Sequence, residues 1–106
     1  HPAVIRLIRQ TVEASRARGI WTGVCGEMAG DPLMTPLLVG LGVERLSMAP
    51  ANIPLVKSCI LKMSAADAKA LADEAMTLTS PRAILSLCRD LIARVAPDVL
   101  DLVGHL

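Results

Sequence analysis

Only two stretches of this chain read as β-strand, and each is short and set between helices. The first is Ile20-Trp21-Thr22-Gly23-Val24-Cys25, and the second runs from Glu44 to Ala49. From Pro2 to Arg18 the residues Val4, Ile5, Leu7, Ile8, Val12 and Ala14 recur at helical spacing, with Pro2 in the first turn and Gly19 past the end. Between the two runs, Asp31-Pro32 marks the start of a second helix, with Asp31 as its cap and Gly40 and Gly42 closing it. A third helix follows Pro50, from about Asn52 to Met63, with Pro54 in its first turn. Alternation of this kind predicts parallel strands joined by crossover connections. Parallel strands are normally buried on both faces, and two short ones leave two open edges and enclose no core. A (β/α)8 barrel takes roughly 250 residues, and even an open sheet usually has more than two strands. These 106 residues therefore read as an α/β piece of something larger.

The second part of the chain changes character. Ser64 with Asp67 three residues later starts an Ala-rich helix to about Leu78, a capping box with Asp in the usual Glu position. Ser80-Pro81 opens another helix to about Val95, and Pro97 a short last one ending near Gly104. Residues 1–63 are thus expected to form the strand-bearing part, and 64–106 a helical extension of the same domain. No repeat or linker interrupts them.

Composition narrows the function classes. Apolar residues make up 53% of the chain, yet there is one Trp and no Phe or Tyr, so the core must be aliphatic, with Met28, Met34, Met48, Met63 and Met76 filling gaps. Lys and Arg are scattered and the formal net charge is +1, which leaves no electrostatic footprint for nucleic acid. The longest nearly uncharged stretch, Pro32 to Val43, is far shorter than the roughly 20 residues of a membrane span, so no membrane insertion is expected. No basic stretch followed by an apolar run marks a signal peptide. Cys25, Cys59 and Cys88 form no CxxC pair and are odd in number, against both a disulfide framework and a zinc site. The expectation is a reducing, cytoplasmic setting.

Cys25 stands where a strand runs into Gly26-Glu27-Met28-Ala29-Gly30-Asp31. In parallel α/β folds the loops at the carboxyl ends of strands converge on one opening, and active sites gather there. A thiol at that point can serve as nucleophile, metal ligand or acid, or simply as a small core residue. Glu27 and Asp31 are candidate ligands or acid–base partners, against a solvated carboxylate and a cap. The loop could also cradle a phosphate with backbone N–H groups at the helix start, but it matches neither GxGxxG nor GxxxxGK[ST], so that signal is weak. His1 and His105 sit at the two ends with no pairing to Cys25, and Cys59 and Cys88 lie on apolar helical faces as core residues.

His1-Pro2-Ala3-Val4, Cys25-Gly26-Glu27-Met28-Ala29-Gly30-Asp31-Pro32, Leu46-Ser47-Met48 and Ile53-Pro54-Leu55-Val56-Lys57 together resemble the phosphoenolpyruvate-utilising enzymes. Within them the chain is similar to the C-terminal end of the Enzyme I group, the phosphoenolpyruvate–protein phosphotransferases of the bacterial sugar phosphotransferase system. Pyruvate phosphate dikinases carry a related Cys-Gly-Glu loop but usually end soon after the helix matching residues 52–63, whereas Ala66 to Ala72 resembles the Enzyme I tail. The likeness covers nearly the whole chain and weakens beyond about Leu87.

The resemblance implies the last two βα units of a (β/α)8 barrel, followed by terminal helices. It implies a transferase of kinase type that passes phosphate from phosphoenolpyruvate to an enzyme histidine and on to the carrier HPr, releasing pyruvate. Cys25 aligns with the family's proton donor to C3 of enolpyruvate. A free thiol titrates near ~8.5, so at neutral pH it is mostly protonated while its thiolate stays within reach for the reverse step. Gly26 and Gly30 would allow the tight backbone path, and Glu27 and Asp31 would hold the loop in shape. The family's Mg²⁺ ligands, its substrate-binding arginines and its phosphoacceptor histidine have no counterparts here, so the chain alone is expected to be inactive. The family's dimeric habit and the open edges both lead to an expectation of a homo-oligomer. The readings set against this are a non-enzymatic, self-associating interaction module, the equivalent part of a dikinase-like enzyme, and a thiol redox protein, the last opposed by the lack of a partner cysteine.

Overall fold

The computed structural model describes residues 1–103. Helix α1 spans Pro2–Ala17, strand β1 Gly23–Cys25, helix α2 Thr35–Leu41, strand β2 Arg45–Ser47 and helix α3 Ile53–Lys62. Helices α4 (Ala65–Ala75), α5 (Pro81–Val95) and α6 (Pro97–Val103) complete the order. The strands pair in parallel, with Gly23 opposite Arg45, Val24 opposite Leu46 and Cys25 opposite Ser47. The predicted alternation is therefore present, and the domain is a mostly helical α/β unit with one two-stranded sheet. His105 and the predicted helix end at Gly104 lie outside the described residues.

The helix ends follow the expected chemistry. Ser64 Oγ accepts from the backbone N–H of Asp67 at 3.0 Å and starts α4, and Ser80 Oγ accepts from Ala83 N–H at 3.3 Å and starts α5. His1, expected to be without a role, caps α1: its Nδ1 accepts from Ala3 N–H at 3.1 Å. Gly19, at φ 69°, supplies the left-handed turn after α1.

Four expectations need correction. Both strands are three residues long, because the ladder exists only where β1 and β2 lie opposite one another. Ile20 and Trp21 precede it with no partner strand. Helix α2 begins at Thr35, since Asp31 closes a separate turn: its Oδ1 accepts from Leu33 N–H at 2.9 Å and its carbonyl from Met34 N–H at 3.0 Å. Gly40 does not end α2 but lies inside it; a Cβ there would stand 1.9 Å from the carbonyl oxygen of Ala68, so glycine is what lets α4 lie against α2. Gly42, at φ 98°, does close the helix. Helix α4 stops at Ala75, where Met76 N–H bonds Ala72 and Thr77 N–H bonds Glu74 in a tightening last turn.

The core is aliphatic, as the composition requires. Ile5 of α1, Leu37 and Leu41 of α2, Leu71 and Ala72 of α4 and Ile84, Cys88 and Leu91 of α5 form one cluster. A second joins Leu33, Cys59 and Ile92 to Ala96, Val99 and Val103. Val12, Leu38 and Val43 form a third, against which Val24 and Leu46 of the sheet pack. All five methionines are half-buried, and Met34 touches all three clusters. The C-terminal helices thus share their core with α1 and α2. Among the described residues no helix is long and apolar enough to cross a membrane.

Candidate active site

Alternation along the strands decides which side chains can do chemistry. In both strands the middle residue is half-buried and its two neighbours are exposed. Val24 and Leu46 turn towards the helices. Gly23, Cys25, Arg45 and Ser47 therefore share the opposite, open face. Cys25 stands at the carboxyl end of β1 as an exposed free thiol, level with Ser47 of β2. At the amino end of that face the Arg45 guanidinium lies 4.0 Å from the centre of the Trp21 ring, and a Cβ on Gly23 would come within 3.0 Å of that ring.

Immediately after Cys25 the chain bends sharply. Gly26 adopts φ 101° and ψ −170°, a conformation that L side chains rarely enter. A 3-10 turn then runs over Glu27–Gly30, with Ala29 N–H donating to Gly26 C=O and Asp31 N–H to Met28 C=O. Gly30 is buried against the exit from β2: a Cβ there would lie 2.7 Å from Asn52 Nδ2 and 3.2 Å from Met48 Cβ. The two glycines therefore act differently, one for backbone conformation and one for space. They tie the loop after β1 to the loop after β2.

The two acids also separate. Asp31 spends its carboxylate on Leu33 N–H and its carbonyl on the Met34 N–H and the Thr35 hydroxyl. The Glu27 side chain is exposed and makes no hydrogen bond among the described residues. No three His, Cys, Asp or Glu side chains gather among the described residues in a way that would hold a metal ion. Mg²⁺ wants an octahedron of oxygens, and one exposed carboxylate beside one already engaged does not supply it. The described residues do not by themselves fit that ion.

The other two cysteines are buried, as their helical faces suggested. Burial raises the Cys59 thiol, slightly offset by Lys62. Burial pushes Cys88 up to about 12, with the charge of Asp31 adding to it. Both thiols are held in the protonated form by burial, which leaves Cys25 as the exposed thiol among the three cysteines. A cavity of about 770 Å³ lies beneath the loop, bounded by Glu27, Met28 and Asp31 on one side and by Ile84, Leu85 and Val103 on the other. Its lining is largely apolar and Cys25 takes no part in it. What sequence reasoning missed is Ser47: it was visible as part of a Leu-Ser-Met run, but only the strand register places it beside the thiol.

Residues 1–65 match the family model described as PEP-utilising enzyme, PEP-binding domain. The phosphoenolpyruvate–protein phosphotransferase of Buchnera aphidicola is 44% identical over 92 residues, which is 87% of this chain and 16% of the relative. That of Haemophilus influenzae is 47% identical over 76 residues, covering 72% of this chain and 13% of the relative. The multiphosphoryl transfer protein of Xanthomonas campestris is 41% identical over 87 residues, 82% of this chain and 10% of that protein. The chain thus spans about a sixth or less of the length of these relatives.

Proposed function

Because the chain belongs to the PEP-utilising enzymes through their PEP-binding domain, we propose that it forms the last two βα units and terminal helices of a (β/α)8 barrel in a phosphoenolpyruvate–protein phosphotransferase. The observation that carries the reading is the exposed Cys25 thiol at the carboxyl end of a parallel strand, on the open face of the sheet. The open flanks agree with it. Val4 and Leu7 of α1 and Ile53, Ile60 and Leu61 of α3 are exposed apolar residues on the first and last helices of the βα part. Neighbouring units of a barrel would cover them.

In this reading phosphoenolpyruvate gives its phosphoryl group to a histidine elsewhere in the enzyme, which passes it to the carrier HPr in the cytoplasm. The enolate left behind needs a proton at C3. Cys25 supplies it: the S–H bond breaks with its electron pair kept on sulfur, the C2–C3 π pair forms the new C–H bond, and the enolate oxygen becomes the carbonyl of pyruvate. Gly26 and Asp31 set the loop that presents the thiol. Mg²⁺, if used by the assembled enzyme, would be held by residues outside this chain.

The test uses a full-length enzyme carrying this segment. Cys25→Ala is expected to lower pyruvate formation by about 10²–10⁴-fold, the usual range for a lost general acid. An unchanged rate would overturn the role of the thiol, and turnover of phosphoenolpyruvate by the 106-residue chain alone would overturn the claim that it is one part of a site.

A second reading, self-association, is favoured by the same apolar flanks and by the two unpaired strand edges, which invite pairing with another chain. Light scattering over a concentration series tests self-association: the isolated chain is expected as a dimer or larger, and a compact monomer would refute it.

A further inference from the structure

We propose that Ser47 is a positioning residue for Cys25, its hydroxyl holding the sulfur in line and donating a hydrogen bond to it as the thiol becomes a thiolate. The inference rests on the reading of Cys25 as proton donor and names a second residue of that step.

The strand register carries it. Cys25 and Ser47 are partners in the parallel ladder and are the last residues of their strands. Alternation places both on the open face, away from Val24 and Leu46. Adjacent strands lie ~4.8 Å apart, so the two Cβ atoms are immediate neighbours. Rotation about χ1 moves Oγ and Sγ relative to one another, and bonds of this kind often close only when substrate is bound. The other side chains of this face and of the loop are otherwise engaged or displaced. Gly23 has no side chain, Arg45 is stacked on Trp21 towards the amino end, and the Asp31 carboxylate is taken by Leu33 N–H. Glu27, two residues further on, lies beyond the sharp turn at Gly26.

Serine suits the task because its hydroxyl both donates and accepts. Towards the thiol it accepts from S–H and fixes the direction of the proton. Once the proton has moved to C3, the hydroxyl rotates and donates to the sulfur. A hydrogen bond to the charged form favours that form, so Ser47 would ease proton release from the sulfur.

The experiment reads the sulfur directly. Cys59 and Cys88 are buried with raised thiol pKa values, so among the three cysteines of this chain iodoacetamide at pH 6–9 reports on Cys25. Ser47→Ala is expected to slow the alkylation at pH 7 about three- to tenfold. Ser47→Thr should restore it, and Ser47→Val, which matches threonine in shape, should not. In the full-length enzyme the same variants are expected to lower kcat with little change in KM for phosphoenolpyruvate. An unchanged alkylation rate in both Ser47→Ala and Ser47→Val, with Cys25→Ala inactive, would overturn this inference and leave the role of Cys25 standing. A fully active Cys25→Ala enzyme would overturn both.

Discussion

Gly40→Ala should weaken this protein although alanine is the better helix former. In an exposed helix interior the exchange stabilises by about 1 kcal/mol. At Gly40 the new methyl would meet the carbonyl oxygen of Ala68 at 1.9 Å, its carbonyl carbon at 2.6 Å and the Cβ of Ala72 at 2.9 Å. Restoring ordinary contact with that oxygen requires α4 to retreat by about 1.5 Å, and the first two obstacles are backbone, which cannot rotate aside. Overpacking commonly costs ~1–3 kcal/mol, and a backbone clash belongs at the upper end. After the propensity gain the net loss is about 2 kcal/mol, a large fraction of the ~5–15 kcal/mol that holds a domain together. Urea unfolding of the two chains is the assay, with the midpoint falling and the slope unchanged. Ala72→Gly in the Gly40→Ala background should not rescue it, because the Ala68 backbone remains. A midpoint equal to or above that of the parent would refute the claim that α2 and α4 meet at backbone distance, and with it the tie between the C-terminal helices and the strand-bearing part.

Gly26→Ala is expected to cost ~1–3 kcal/mol through backbone conformation alone, since nothing lies within 4 Å of the added Cβ. Gly26→Asn should lose as much, because ψ −170° lies outside the left-handed helical region that asparagine tolerates; recovery of the urea midpoint by asparagine would contradict this backbone reading. On the surface, hydrogen bonds from Lys69 and Arg9 lower the Asp73 carboxyl, and one from Lys62 lowers Asp98. The stability these pairs add is present above the ordinary carboxylate range and is lost as pH falls through the lowered values. Urea midpoints at pH 6 and pH 3 should therefore converge slightly in Asp73→Asn, and an identical pH dependence would show that the pair adds nothing measurable.

The parts of the fold that were legible in sequence are those governed by local chemistry. Pro2, Ser64, Ser80-Pro81 and Pro97 each mark a helix start that the structure keeps, because caps and proline act within one turn. Asp31-Pro32 misled for a related reason: an aspartate that accepts from the N–H two residues on forms an Asx turn as readily as a cap, and only the later Thr35 start shows which occurred. Strand length was not local at all. Ile20 and Trp21 have β-like composition, but a strand lasts only as long as its partner, and Arg45–Ser47 supplies three residues. Gly40 was equally unreadable, since its reason is Ala68, in a helix whose approach no local pattern announces. Cys25 and its loop could be found because a specific run of residues surrounds them, whereas the pairing with Ser47 waited on register.

That register links folding to chemistry. The pleat sends alternate residues to opposite faces, so the pairing that buries Val24 and Leu46 against Val12, Leu38 and Val43 must also expose Cys25 and Ser47 together. A slip of one residue in β2 would turn Leu46 outward and bring Arg45 and Ser47 against the helices, at the cost of burying a cation. The apolar cluster beneath the sheet therefore selects the one pairing in which thiol and hydroxyl stand side by side. Truncating that cluster should act on the sulfur at a distance. In Leu38→Ala, a fully buried position in α2, the expected loss is ~2–5 kcal/mol of stability. Where the chain remains folded, a looser ladder should bring the rate of Cys25 alkylation towards that of Ser47→Ala. An alkylation rate identical to the parent's in a folded Leu38→Ala chain would show that the loop after β1, rather than the sheet, sets the thiol's surroundings.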